Sequence, residues 1–187
     1  MRNALCALAL AQLPMVLSGQ RPEYQAGVIY GPKAAFEISA PEGWVLDNTS
    51  GRSNGLDCVL YLSGSTWQSS PVIMYAKVAS TQFERVEDFL EFTHREYEKD
   101  EPAPTLTRMP TVAINDTLMA IVESNAGGVH DSYEATAYVQ VPGAVCYIVF
   151  SARNEAGFRS YAQALSEAVR TFRYRPEYIG LEKKIDR

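Results

Sequence analysis

Three short stretches of this chain hold residue types whose spacing can do chemistry. Gly51-Arg52-Ser53-Asn54-Gly55 has the G-x-S-x-G spacing of a nucleophilic serine. That chemistry needs a strand before the serine and a helix after it, so that a strained turn presents the hydroxyl to a histidine base oriented by an acid. Here a polar loop precedes the serine, a strand-like run follows it, and the base would have to be His94 or His130. The pattern therefore reads as a Gly/Ser/Asn turn. Glu87, Glu91, His94 and Glu98 recur at steps of four, three and four, which sets them on one helical face where carboxylates and an imidazole can meet a metal. A solvated acidic face beside a core stripe has the same spacing, and Glu91 to Arg95 is an ordinary i,i+4 ion pair. His130-Asp131 follows Gly127-Gly128 and reads as a solvated hairpin turn rather than a dyad.

A Gly-rich phosphate loop, a C-x-x-C pair and an H-E-x-x-H helix are all missing from the sequence. No catalytic residue, metal ligand or cofactor is assigned, which favours a binding or accessory domain; a small hydrolase or a metal-binding protein is the competing class. Trp67 stands in the otherwise polar run Ser63 to Ser70 and is the first candidate contact residue, with the ring folded back on a sheet edge as the alternative. Glu134, Thr136 and Tyr138 share the wetter parity of an alternating segment and complete the candidate binding set.

The elements that must position these residues follow from periodicity. Phe36 and Ile38 alternate with polar neighbours, and Pro41-Glu42-Gly43 leads into Trp44, Val45 and Leu46, a hairpin signal. Further strand candidates are Leu56 to Leu62, Val72 to Ala76, Val112 to Ile114, Leu118 to Ser124, Tyr133 to Gln140 and Val145 to Phe150. Short turns at Asn115-Asp116, Ala126-Gly127-Gly128 and Pro142-Gly143 make neighbours antiparallel. Met119 to Val122 and Val145 to Phe150 are apolar on both parities, as strands covered on two sides are. One helix is expected to open at the box Thr81-Gln82-Phe83-Glu84, with Phe83, Val86, Leu90, Thr93 and Tyr97 as its stripe, and to end before Pro102. A second is expected over 155–172, capped by Asn154 and buried through Phe158, Leu165, Val169 and Phe172. Strands in blocks give an α+β class with a mainly antiparallel sheet flanked by two main helices.

Cys58 and Cys146 each fall on a packed parity. Either they form a disulfide, closing a loop of about 90 residues, or they are two separate buried thiols. The opening residues pair Arg2 with an apolar run from Ala4 to Leu17 and small residues at Ser18 and Gly19, the pattern of a cleaved secretory signal over 1–19 and too short for a bilayer-spanning helix. An extended leader over 20–33, one domain over 34–174 and a tail over 175–187 complete the expected organisation. In 187 residues with 22 acidic and 17 basic side chains, the net charge of -5 provides no basic footprint for nucleic acid. The expected setting is the periplasm or exterior of a bacterium, with no transmembrane anchor in the mature chain, and the expected partner is another envelope protein or a small ligand.

The Phe36-x-Ile38 strand running into Pro41-x-Gly43-Trp44, the mid-chain helix and the terminal helix ending in Phe172 together resemble the PsbP-like superfamily, across residues 34–174. That superfamily includes photosystem PsbP proteins, Mog-type factors and DcrB-like exported bacterial proteins. The resemblance implies an antiparallel sheet flanked by helices that serves as an accessory or binding module without catalysis, and the export signal points to the bacterial branch.

Overall fold

The computed structural model describes residues 26–129 and 131–179. The expected signal, the first residues of the expected leader, His130 and the end of the expected tail lie outside them. Strands β1 (Ala26–Tyr30), β2 (Ala35–Ser39), β3 (Trp44–Asp47), β4 (Val59–Leu62) and β5 (Val72–Val78) precede helix α1 (Val86–Tyr97). Strands β6 (Thr105–Ala113), β7 (Met119–Gly127), β8 (Ser132–Val141) and β9 (Ala144–Ala152) follow, then helices α2 (Glu155–Tyr161) and α3 (Gln163–Arg170) and the short β10 (Arg173–Tyr174).

Seven strands form one sheet in the order β3-β4-β5-β9-β8-β7-β6, every neighbour antiparallel. The central strand is β9, whose Val145, Cys146, Ile148 and Phe150 are wholly buried. A strand apolar on both parities needs cover on both faces, and the chain supplies it. On one face lie α2, α3 and a small sheet β1-β2-β10. Phe36 of β2 stacks on Phe172 at 4.9 Å, and Trp44 lies against Phe150 and Tyr161 at 6.4 Å each. On the other face lies α1, through Phe83, Val86, Leu90, Tyr138 and Val145. The fold is α+β and mainly antiparallel, as the periodicity indicated.

Four local expectations change. The Pro41-Gly43 turn does not close a hairpin: β2 pairs with β1 and β10, whereas β3 pairs with β4, so the turn carries the chain from the small sheet to the large one. Ala26–Tyr30, in the stretch expected to be leader, is a paired strand with Ile29 buried, and Arg175, in the expected tail, forks onto Glu37 at 2.6 and 3.0 Å. Helix α1 begins at Val86 rather than Thr81, because residues 81–85 make a turn and an extended step. The terminal helix is capped by Asn154, whose side chain accepts the Gly157 N–H at 2.8 Å, and is interrupted at Ala162, where Leu165 N–H bonds three residues back instead of four.

Cys58 and Cys146 are both buried free thiols, which overturns the disulfide alternative. The register explains why. Cys58 lies beside Ala76, and Cys146 opposite Val78, so β5 stands between them. Two strand spacings make about 10 Å, beyond the roughly 7 Å that a disulfide spans between Cα atoms. Burial pushes the Cys58 thiol up to about 12, with the nearby Asp47 and Asp57 adding to it, and pushes Cys146 up as well. Both thiols should therefore resist maleimide in the native protein and react fully on unfolding without any reductant. A cystine-linked peptide pair in a non-reducing digest would contradict this.

Candidate functional site

The α1 side of the sheet carries the candidate residues, and its geometry starts with how α1 is held. No side chain at its start caps it locally. Instead Gln140 of β8 reaches across: its Oε1 accepts the Val86 N–H at 2.9 Å while its amide donates to the Glu84 carbonyl at 2.7 Å. A cap supplied 54 residues away explains why the box at Thr81 does not mark the helix start. The first turn is reinforced by Phe83, which packs on Phe89 at 4.9 Å and Phe92 at 5.1 Å. At the other end, Asn125 of β7 donates to the Tyr97 hydroxyl at 2.9 Å.

Between these anchors His94 meets Glu123 at 2.7 Å, and Arg108 of β6 donates to the second Glu123 oxygen at 2.8 Å. His94 is thus committed to β7, Glu91 pairs with Arg95 and Glu87 with Arg85. Three of the four members of the helical row, Glu87, Glu91 and His94, thus take separate partners. Ser53 is exposed in a 3₁₀ turn, Arg52–Asn54, that ends in a left-handed Gly55 and runs on to β4. That is a surface turn and not a strand-to-helix elbow. His130 lies outside the described residues.

Of the candidate binding set, Thr136 and Tyr138 are buried beneath α1, and Phe89 meets the Tyr138 ring edge-on at 5.8 Å. The wetter parity of β8 is therefore roofed at that end, which an alternation pattern alone does not reveal. Glu134 lies beyond the roof and is partly buried. Its register partner on β9 is Ser151, which lines a depression of about 310 Å³ together with Trp67, Ile73, Asp131, Ser132 and Arg153. The fold brings Trp67 and Glu134 to neighbouring positions and sets Thr136 and Tyr138 apart from them.

Trp67 is only partly buried, on a loop tied down by its own polar residues. Thr66 and Ser69 exchange backbone and hydroxyl bonds at 2.9 to 3.2 Å, Ser70 N–H donates to the Thr66 carbonyl at 2.9 Å, and Arg153 donates to the Gln68 carbonyl at 2.5 Å. Buried Ser70 is fixed by a 2.6 Å bond to the Val72 carbonyl. The Ser/Thr richness that marks the loop in the sequence is what rigidifies it.

Asp47, at the end of β3, braces the neighbouring loop. It accepts from Thr49 N–H and hydroxyl at 2.6 Å each, Ser50 N–H at 3.0 Å, the Ser50 hydroxyl, and Tyr61 at 3.0 Å. Burial alone would raise its pKa, but the Ser50 and Thr49 hydrogen bonds together outweigh it and hold the carboxyl well below the usual carboxylate range.

These layers define a PsbP-like α+β domain. Cyanobacterial PsbP (CyanoP) from Synechocystis matches it with a TM-score of 0.50 at 12% identity, over 89% of this chain and 99% of that one. LpqN, involved in cell envelope biogenesis of Mycobacterium tuberculosis, matches with a TM-score of 0.50 at 14% identity, over 81% of this chain and 91% of that one. Both likenesses are of the fold. No family profile and no curated protein matches the sequence.

Two outcomes follow from the braces. Gln140→Ala should cost about 1 kcal/mol and speed hydrogen exchange in α1 more than in β8 and β9; an α1 exchange rate equal to wild type would contradict the remote cap. Asp47→Asn should lower stability by about 1 to 2 kcal/mol at neutral pH. Because the folded carboxyl has a depressed pKa, its stabilisation is complete above the unfolded value of about 4 and fades as pH falls below it. Wild-type and Asp47→Asn denaturation midpoints should accordingly converge in acid, and a gap independent of pH would refute the assignment.

Proposed function

We propose that this protein is a non-enzymatic exported binding or accessory domain whose contact surface is centred on Trp67 and bordered by Glu134. The observation that carries the reading is a partly exposed tryptophan on a loop immobilised by at least six hydrogen bonds, beside a depression at the end of the large sheet. A large ring held rigid contributes contact area without losing conformational freedom on binding, which is how anchor residues work. The fold likeness to LpqN, a protein of cell envelope biogenesis, supports an envelope setting, as does the signal-like segment over 1–19. The partner in this reading is another envelope protein or a small ligand, with no nucleic acid and no cofactor involved, and the folded unit corresponds to the expected 34–174 together with the flanking residues that pair with it. Among the described residues no helix is long and apolar enough to cross a membrane.

The test is a pull-down from an envelope fraction with residues 20–187 as bait. Wild type should capture a specific protein that Trp67→Ala loses by fivefold or more, with both baits melting at the same temperature. Equal capture by both, or covalent labelling of Ser53 by a fluorophosphonate, would overturn the reading.

A further inference from the structure

Glu134 has a setting that the packing of the sheet does not account for. By register it stands between Asn125 on β7 and Ser151 on β9. Asn125 holds the Tyr97 hydroxyl from α1 on one side of it. Ser151 faces Ile73 on the other, both line the Trp67 depression, and Tyr75 follows two residues along β5 on the same face. Glu123, on the adjacent row of the same face, is held by His94 and Arg108. The carboxylate of Glu134, a partly buried residue, makes no hydrogen bond and no ion pair among the described residues. The cations of this region are engaged or displaced: Arg153 is turned to the Gln68 carbonyl, and Lys77 stands further along β5 against Tyr147. Asp131 adds a second carboxylate at the rim of the depression.

The aromatic residues around this carboxylate differ from those nearby. Tyr138 and Tyr147 are covered by Phe89, whereas Trp67, Tyr75 and Tyr97 pack on no other aromatic ring among the described residues and are each partly exposed. The Glu134 charge reaches both tyrosines: after burial, it is the largest influence holding the Tyr75 and Tyr97 hydroxyls protonated. A carboxylate unpaired among the described residues, beside partly exposed aromatic rings, selects an organic ammonium group, because ring faces attract such cations. A hard divalent ion would require six or more oxygen ligands, which this surface does not bring together.

We infer that Glu134, with the ring faces of Trp67, Tyr75 and Tyr97, forms a site for an organic ammonium group. The inference rests on the binding reading above and names the ligand chemistry of that surface. The group can arrive on a free small cation or on a lysine side chain, and the two are separable in one titration.

Choline, Nα-acetyl-lysine amide and the neutral choline isostere 3,3-dimethylbutanol are titrated into the full chain, read by fluorescence of the partly exposed Trp67 and by amide shifts of Glu134 and Ser151. Wild type should bind at least one of the two cations with a Kd on the order of 1 mM and the neutral isostere at least tenfold more weakly. Tighter choline assigns the site to free cations, and tighter lysine amide assigns it to a partner's side chain. Glu134→Gln should weaken cation binding tenfold or more, Tyr75→Leu about fivefold, and Tyr75→Phe, which keeps the ring face, less than twofold. Equal binding of the neutral isostere, unchanged affinity in Glu134→Gln, or no saturation by either cation at about 50 mM would overturn the inference. If Trp67-dependent capture of a partner persists in that case, this inference alone fails; if capture fails too, the binding reading falls with it.

Discussion

Burial of β9 on both faces is the constraint on which the rest of the molecule depends. Val145, Cys146, Ile148, Val149 and Phe150 are at most 4% exposed, so side chains of both parities have left water. Each buried aliphatic or aromatic side chain is worth about 1.5 to 3 kcal/mol only while something covers it, which forces a layer on either side of the large sheet. The two layers are unequal. One consists of α2, α3 and the small sheet, packed around Phe36, Phe150 and Phe172. The other is a single helix of 12 residues, standing on a smaller cluster and held at its ends by Gln140 and Asn125.

That inequality links packing to function. A lone helix laid over β7 and β8 roofs Tyr138 and Thr136 but leaves the row Glu134, Ser151 and Ile73 only partly covered beside it. The polar loop carrying Trp67 closes the end of this row and is stiffened by hydrogen bonds it makes with itself and with Arg153. The large sheet therefore has one face committed to the core and one face only partly covered, with a rigid aromatic at its margin. A module that recognises something needs such a surface, and it can present one without any catalytic constellation.

Much of this was legible in the chain, and the misses share a cause. Alternation and double-parity runs located the large-sheet strands other than β6, of which only the end at Val112 and Ala113 was expected, and marked β9 as interior, because a strand's environment is written in its own residues. Asn154 capped its helix as expected for the same local reason. What failed was decided by distant partners. The start of α1 depends on Gln140, the small sheet on pairing of β2 with β1 and β10, and the separation of Cys58 from Cys146 on β5 inserting between their strands. The Pro-x-Gly-Trp turn predicted a hairpin because turn chemistry reports a reversal and not which sheet receives the strand. For the candidate site, Trp67 stood out by contrast with its polar neighbours, and the parity of β8 pointed at the face on which Glu134 lies. No sequence signal showed that α1 roofs one end of that face, so Thr136 and Tyr138 were grouped with Glu134. Tyr75 was legible only as a residue of an expected strand, and Tyr97 only as a member of the stripe of the first helix.

Residue-resolved hydrogen exchange across a mild denaturant series tests the unequal two-layer arrangement most directly. The account predicts that the amides of β9 and its neighbours β5 and β8 exchange last and together, while α1 opens as a separate unit at lower free energy with the sheet intact. Exchange of α1 in the same step as β9, or earlier exchange of β9 than of the edge strands β3 and β6, would contradict it.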